Sequence, residues 1–234
     1  MNVLPIQKLK NKHIGETCFV VGTGPSLNRT NISLLNGKVV FGVNALYRSG
    51  IKCSYYAIAD GKVYRAHIDN LVNLDCILFV DHNAYMIESD KKKVLDKRVL
   101  PTVFVGGRST KVWEAGTFLK DLTKGFYGGG TVIASMCLPI AYYMGFSRVC
   151  LVGVDCDYTQ GHRFDGSKTE NPDGLAGGIY SDEHWKIIFQ VYEIFKREFE
   201  LDGRKIINCT VGGKLEVFKR QSLEEVCDLL DMSQ

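Results

Sequence analysis

The sequence predicts an α/β fold: a doubly wound, mostly parallel sheet with helices on both faces and a lid loop. Three observations carry this. Short apolar, β-branched runs recur along the chain and alternate with segments of helical spacing. Several of these runs end abruptly in Asn, Asp or Gly, the pattern of strands whose carboxyl ends open onto a ligand edge. Two glycine-rich turns, Gly22-Thr23-Gly24 and Gly128-Gly129-Gly130, each stand before a segment with helical character.

The first run, Cys18 to Val21, leads straight into Gly22-Thr23-Gly24, and Pro25 and Ser26 then open a helical segment. Glycines that lack a Cβ let such a turn come close to a ligand, and helix-opening amides can hold an anion. This makes the loop a candidate phosphate cradle, although an ordinary tight βα turn with Ser26 as N-cap fits the same residues. It is not the dinucleotide fingerprint, which needs a third glycine, nor a P-loop, which needs Gly-Lys-Ser/Thr.

Composition limits the options. The 234 residues suffice for one sizeable core, so the reading is a single nucleotide-binding domain over 1–234 with a lid at about 156–180. Hydrophobic residues at 45% and charged residues at 24% describe an ordinary globule, and a formal net charge of +3 leaves no footprint for nucleic acid. Eight cysteines, none in a CxxC pair, read as buried reduced thiols. With a polar start and no long apolar run, a cytoplasmic location without a membrane span is expected.

In chain order, a basic leader to Glu16 is expected to pack on the sheet rim, and Asn28 to Asn36 reads as a short helix. The strand Val39–Val43 ends in Asn44, and the run Tyr55–Ala59 ends in Asp60-Gly61. Both polar residues then sit at the carboxyl edge, where Asp60 equally suits a structural turn. A helix over Lys62–Leu74 and a strand over Cys76–Val80, capped by Asp81-His82-Asn83, follow. From Ala84 to Lys124 the pattern loosens, with Asp90–Lys93 as a solvated helix face and Val103–Val105 as a short strand.

Gly128-Gly129-Gly130-Thr131 opens an apolar helix over Val132–Met144 that Pro139 should kink. Three successive glycines raise unfolded-state entropy, and packing alone is a poor reason for them, so a second backbone approach to a ligand is expected. The strand Val149–Val154, which contains Gly153, runs into Asp155-Cys156-Asp157-Tyr158, and Thr159–Tyr180 lacks any period and reads as a lid. Asp155 equally suits a cap of the lid's first turn. Ser181 caps the clearest helix, with Trp185, Ile188, Tyr192, Phe195 and Phe199 as its core stripe and His184 in its first turn. His162, on the lid, is a second candidate base, whereas His13, His67 and His82 read as surface residues. A last strand over Arg204–Asn208 and a helix over Ser222–Leu230 close the chain.

Taken together, GTGPSL after the first strand, Asn44, Asp60, GGT opening a helix and LVGVDCDY after a later strand resemble the bacterial sialyltransferase superfamily. They are equally similar to its relatives, the flagellin-modifying motility-associated factors and the MptE-like 6-hydroxymethyldihydropterin diphosphokinase domain. The closing GGKLEVF is similar to MptE-like proteins of surface-polysaccharide clusters. The resemblance implies a Rossmann-like fold. It also implies that Gly22 to Ser26, Asn44 and the turn around Gly129, Gly130 and Thr131 hold the donor, that Tyr158 binds its phosphate, and that His184 is the general base. Two departures stand out: Thr23 and Asp60 occupy positions where the family usually has Asn.

Three functions follow from that resemblance. The first is a nucleotide-dependent glycosyltransferase of surface polysaccharide, using a CMP-type donor and a glycan or small-molecule acceptor without a cofactor. His184 or His162 would be its base, and Gly153 and Asp155 would help to line its site. The second is a diphosphokinase in which Asp60, Asp155 and Asp157 hold Mg²⁺ between phosphates. The third is a nucleotide-binding module without turnover. Self-association into a homo-oligomer is left open.

Overall fold

The computed structural model describes residues 2–87, 97–168, 170 and 181–232; the charged run Asp90–Lys93 and, of the expected lid, residues 169 and 171–180 lie outside them. The described residues form ten strands: β1 (Thr17–Val21), β2 (Val40–Val43), β3 (Tyr55–Ile58), β4 (Ile77–Asp81), β5 (Thr102–Val105), β6 (Gly107–Lys111), β7 (Phe126–Gly128), β8 (Arg148–Val152), β9 (Lys205–Asn208) and β10 (Lys219–Arg220). Among the described residues, eight of them form one sheet in the order β10-β9-β8-β1-β2-β3-β4-β5. Every pairing in it is parallel, which is the expected Rossmann-like α/β arrangement. β6 and β7 make a separate parallel pair.

The chain winds outward from β1 to β5, then returns to the other side of β1 and continues through β8 to β10. The strand order therefore reverses between β1 and β8, and the loops leaving these two strands diverge at a switch point. The strands are near-continuous apolar runs because both faces are covered. On one face, Cys18, Val20 and Phe41 pack with the α5 helix (Asp182–Leu201), through Ile188, Phe195 and Phe199. On the other, Phe19, Val21 and Val40 pack with α1 (Gly61–Leu71) and α6 (Leu223–Asp231). The shorter α2 (His82–Ile87), α3 (Val112–Ala115) and α4 (Leu138–Tyr143) lie between these in sequence.

Three elements differ from expectation. Asn28–Asn36 is no α-helix: two tight 3₁₀ turns, Pro25–Arg29 and Ile32–Leu35, occupy the segment. Thr30 Oγ1 donates to the Ser26 carbonyl and Ser33 Oγ to Asn31, so local side-chain bonds compete with a helical ladder. The apolar segment after Thr131 begins as one wide π turn over Ile133–Cys137. That turn brings Pro139 to the start of α4, where its missing N–H costs little. The polar strands β6 and β10 carried no apolar period and were not expected.

Two histidines expected at the surface are built into the fold. His67 is 1% exposed, and His13 stacks on Phe146 at 4.5 Å and bonds to Tyr55 Oη at 2.7 Å. His82 is exposed, as expected. None of the eight cysteines is in a disulfide, and among the described residues no helix is long and apolar enough to cross a membrane.

Candidate functional site

The carboxyl ends of β1, β2, β3, β4 and β8 surround a cavity of about 750 Å³. Gly22, Thr23, Gly24 and Pro25 line it from β1, Asn44 from β2 and Asp60 from β3. Gly130 and Thr131 line it from the second glycine turn, and Gly153, Asp155, Asp157 and Tyr158 from the loop after β8. His162 reaches it from the lid and His184 from α5. The two glycine turns thus face one space. Ser26 and Gly129 do not line it.

Ser26 is fully buried and is not the N-cap; Gly24 takes that position without a side-chain bond. Its hydroxyl instead donates to Asp155 Oδ2 at 2.8 Å, and its amide donates to Oδ1 at 3.2 Å. A Cβ on Gly24 would overlap this carboxylate, and one on Gly22 would overlap the Gly153 carbonyl. These glycines let the β1 and β8 loops meet at the switch point; what approaches them is the neighbouring loop. Each glycine of the second turn also has a packing reason. Gly128 lies under Lys111, Gly129 lies against Ala134, and Gly130 adopts φ 79°. Thr131 Oγ1 accepts from the Ala134 amide at 3.1 Å, as a cap should.

Asn44 has φ 51° and Cys156 φ 48°, left-handed values uncommon outside glycine. Asn tolerates that region, and the turn presents Asn44 to the cavity. Cys156 is held there between two anchored neighbours: Asp155 by Ser26, and Asp157 by the Thr159 amide at 3.0 Å and Lys214 Nζ at 3.2 Å. Burial raises the pKa of Asp155 against the pull of those Ser26 bonds, whereas the Thr159 amide, its hydroxyl and Lys214 hold Asp157 low. Asp60 is the N-cap of α1 and accepts from the Lys62 amide at 2.7 Å and the Val63 amide at 3.1 Å.

His184 is 4% exposed, although a first-turn residue is usually solvated. Ser181 Oγ accepts from the His184 amide at 3.1 Å, which fixes the helix start. Burial lowers the imidazole pKa, so the ring is neutral at pH 7, and its Nδ1 is buried without a partner among the described residues. His162 is also lowered, by burial and then by Lys168 and Arg163. Tyr158 packs against His162 and Trp185, with ring centroids 5.4 Å and 5.5 Å away, and Trp185 is the residue after His184. Trp185 and Tyr192, expected only as core, also line the cavity.

The described part of the lid is docked on this edge. The Phe164 amide donates to the Thr23 carbonyl at 2.9 Å, and Arg48 Nη1 bonds to Asp165 at 2.8 Å. Behind them, the Arg163 guanidinium forks onto Glu170, which also bonds His67 Nε2 at 2.9 Å.

The far wall was not read from the sequence. Asp81 ends β4 and Asn83 lies in the first turn of α2, close to the strand end as Asn44 and Asp60 are to theirs, so that pattern could have marked them. Arg108, Ser109, Lys111 and Trp113 come from β6 and α3, whose sequence GRSTKVW has no period to announce a strand. As for magnesium, Asp155 and Asp157 already accept bonds at both oxygens, and among the described residues no three His, Cys, Asp or Glu gather as a metal site.

A parallel α/β sheet with a glycine-loop cavity at its switch point defines a class of proteins that bind small ligands across strand ends. Within that class, the chain belongs to the 6-hydroxymethylpterin diphosphokinase MptE-like family, whose model matches residues 1–161. It is also similar to a probable 3-deoxy-manno-octulosonic acid transferase of Salmonella typhimurium, with 24% identity over 209 residues, covering 75% of this chain and 77% of that protein. No solved structure matches the chain significantly.

Proposed function

We propose that the protein is a nucleotide-dependent transferase that moves a glycosyl group from a CMP-type sugar donor to a hydroxyl of a glycan or small-molecule acceptor. The observation that carries this is the convergence of the Gly22–Pro25 loop, Asn44, Thr131, Tyr158 and His184 on one cavity of about 750 Å³. That volume is at the upper end of small-ligand sites and leaves room for a second substrate beside a nucleotide. The likeness to a protein named as a probable sugar-acid transferase supports glycosyl transfer.

In this reading the Thr23 amide and the Tyr158 hydroxyl face the donor phosphate, because the Gly22 and Gly24 amides already donate to the Val152 and Gly153 carbonyls. Neutral His184 takes the proton of the acceptor hydroxyl as its oxygen bonds the anomeric carbon. The bond from that carbon to the phosphate oxygen breaks, and the nucleotide leaves with the electron pair. The work is positioning and charge stabilisation, with one proton moved.

The second reading, diphosphate transfer from ATP, is favoured by the family's name. A thermal-shift panel of CMP, CDP, UDP, GDP and ATP, each with and without Mg²⁺, separates the two. CMP should stabilise the protein without metal, by about 3 kcal/mol at a hundredfold excess over its Kd. Stabilisation by ATP only with Mg²⁺ would instead support the diphosphokinase. Asp60→Asn adds a check, because Asn still caps α1 while removing the charge. It should spare a metal-free glycosyltransferase and disable a magnesium enzyme.

A further inference from the structure

The cavity extends past the donor cradle to a wall made by β6 and α3. Lys111 pairs with Gly128 across the β6–β7 ladder, and its side chain lies flat over that glycine. A Cβ on Gly128 would stand 3.0 Å from Lys111 Cδ and 3.2 Å from Nζ. The bare glycine therefore makes room for the lysine, and the ammonium is carried at the cavity wall beside the turn that presents Thr131. Among the described residues the Lys111 ammonium has no ion-pair partner, while the Glu114 carboxylate accepts from the Lys111 backbone amide at 3.1 Å. Arg108, on the same strand, gives its Nε to the Lys124 carbonyl at 2.5 Å, and among the described residues its terminal nitrogens make no ion pair.

The carboxylates on the cavity wall are committed elsewhere. Asp60 holds the amides of Lys62 and Val63, and Asp81 holds the amide of Ala84 at 2.7 Å. Asp155 is taken by Ser26, and Asp157 by Thr159 and Lys214. These bonds orient the carboxylates without cancelling their charge, and Asp157 alone is paired with a cation, Lys214; the half of the cavity formed by β6 and α3 contributes only cations, Lys111 and Arg108, as its charged lining. Trp113, partly buried on α3, adds an aromatic surface of the kind on which sugar rings pack.

We propose that this half is the acceptor subsite and that it selects an acceptor bearing an anionic group, a carboxylate or a phosphate, through Lys111 and Arg108. This rests on the reading that the other half takes the nucleotide. A charged hydrogen bond in a partly dry cavity is a strong discriminator, so a neutral sugar should be a poor substitute.

Calorimetric titrations of the whole protein saturated with CMP test this, with 3-deoxy-manno-octulosonic acid, glucose 6-phosphate and mannose as probes. At least one acidic sugar should bind at least about tenfold more tightly than mannose, and the two acids tell carboxylate from phosphate recognition. Lys111→Met keeps the stem over Gly128, and it should weaken the acidic sugar about tenfold while changing CMP affinity less than about twofold. Arg108→Gln should act in the same direction, and Asn44→Ala should weaken CMP and spare the sugar. Equal binding of mannose, or a Lys111→Met variant that loses CMP as strongly as the sugar, overturns the acceptor subsite. If CMP fails to bind the wild type while acidic sugars still bind through Lys111, the nucleotide reading falls and the anionic subsite stands.

Discussion

At the residue scale, His184 shows how burial produces chemistry. A histidine in the first turn of a helix is ordinarily wet and titrates near 6.5. Here Ser181 anchors the turn and α5 carries the ring under the cavity edge, where loss of water favours the neutral form. A base whose pKa is lowered stays competent as the pH falls, so transfer should be flat through neutrality and drop only below about pH 6.5. His184→Ala should reduce turnover by about 10²–10⁴-fold with nearly unchanged nucleotide affinity, measured by single-turnover kinetics alongside nucleotide titration. Unchanged turnover would remove the residue from the reaction.

At the scale of elements, the lid is held by a buried polar chain. Arg163 pairs with Glu170, Glu170 with His67, and His67 Nδ1 lies 3.2 Å from Tyr47 Oη. Burial opposes the Glu170 charge, but the Arg163 fork outweighs it and holds the pKa down to about 2. That stabilisation is complete above about pH 4.5 and is lost as pH falls toward 2. His67 is lowered because burial outweighs Glu170, so its unfolded form binds more protons and its contribution is lost as pH falls below about 6.5. The lid should therefore loosen in two acid steps, seen as faster amide exchange over 159–168. Glu170→Gln, which removes the charge shared by Arg163 and His67, should produce the faster exchange at neutral pH, and unaltered exchange would show that this chain does not hold the lid.

At the scale of the molecule, the sheet is shared between two cores. Alternate residues of one strand serve opposite faces, Cys18 and Val20 on one and Phe19 and Val21 on the other. Neither core can melt without removing the strands from the other, so the expected outcome is one cooperative transition. Both tryptophans, Trp113 and Trp185, line the cavity, and their fluorescence should change together with far-UV circular dichroism in urea. Separated midpoints would mean that the cavity side and the sheet unfold independently.

The sequence by itself determined strands β1 to β5, β8 and β9, the mostly parallel sheet they form and the polar residues that end several of them, but not β6, β7 or β10. An apolar run buried on both faces, with Asn44, Asp60 or Asp155 at its end, is a local pattern that needs no partner to be visible. It did not show why the glycines are where they are. Gly24 answers to Asp155 and Gly128 to Lys111, contacts between residues far apart in sequence, and only the fold brings them together. The same holds for the far half of the cavity and for His67, because a polar strand and a buried histidine have no periodicity of their own. Tertiary structure decided which side chains lost their water and which charges were already paired, and those two facts set what the cavity can bind.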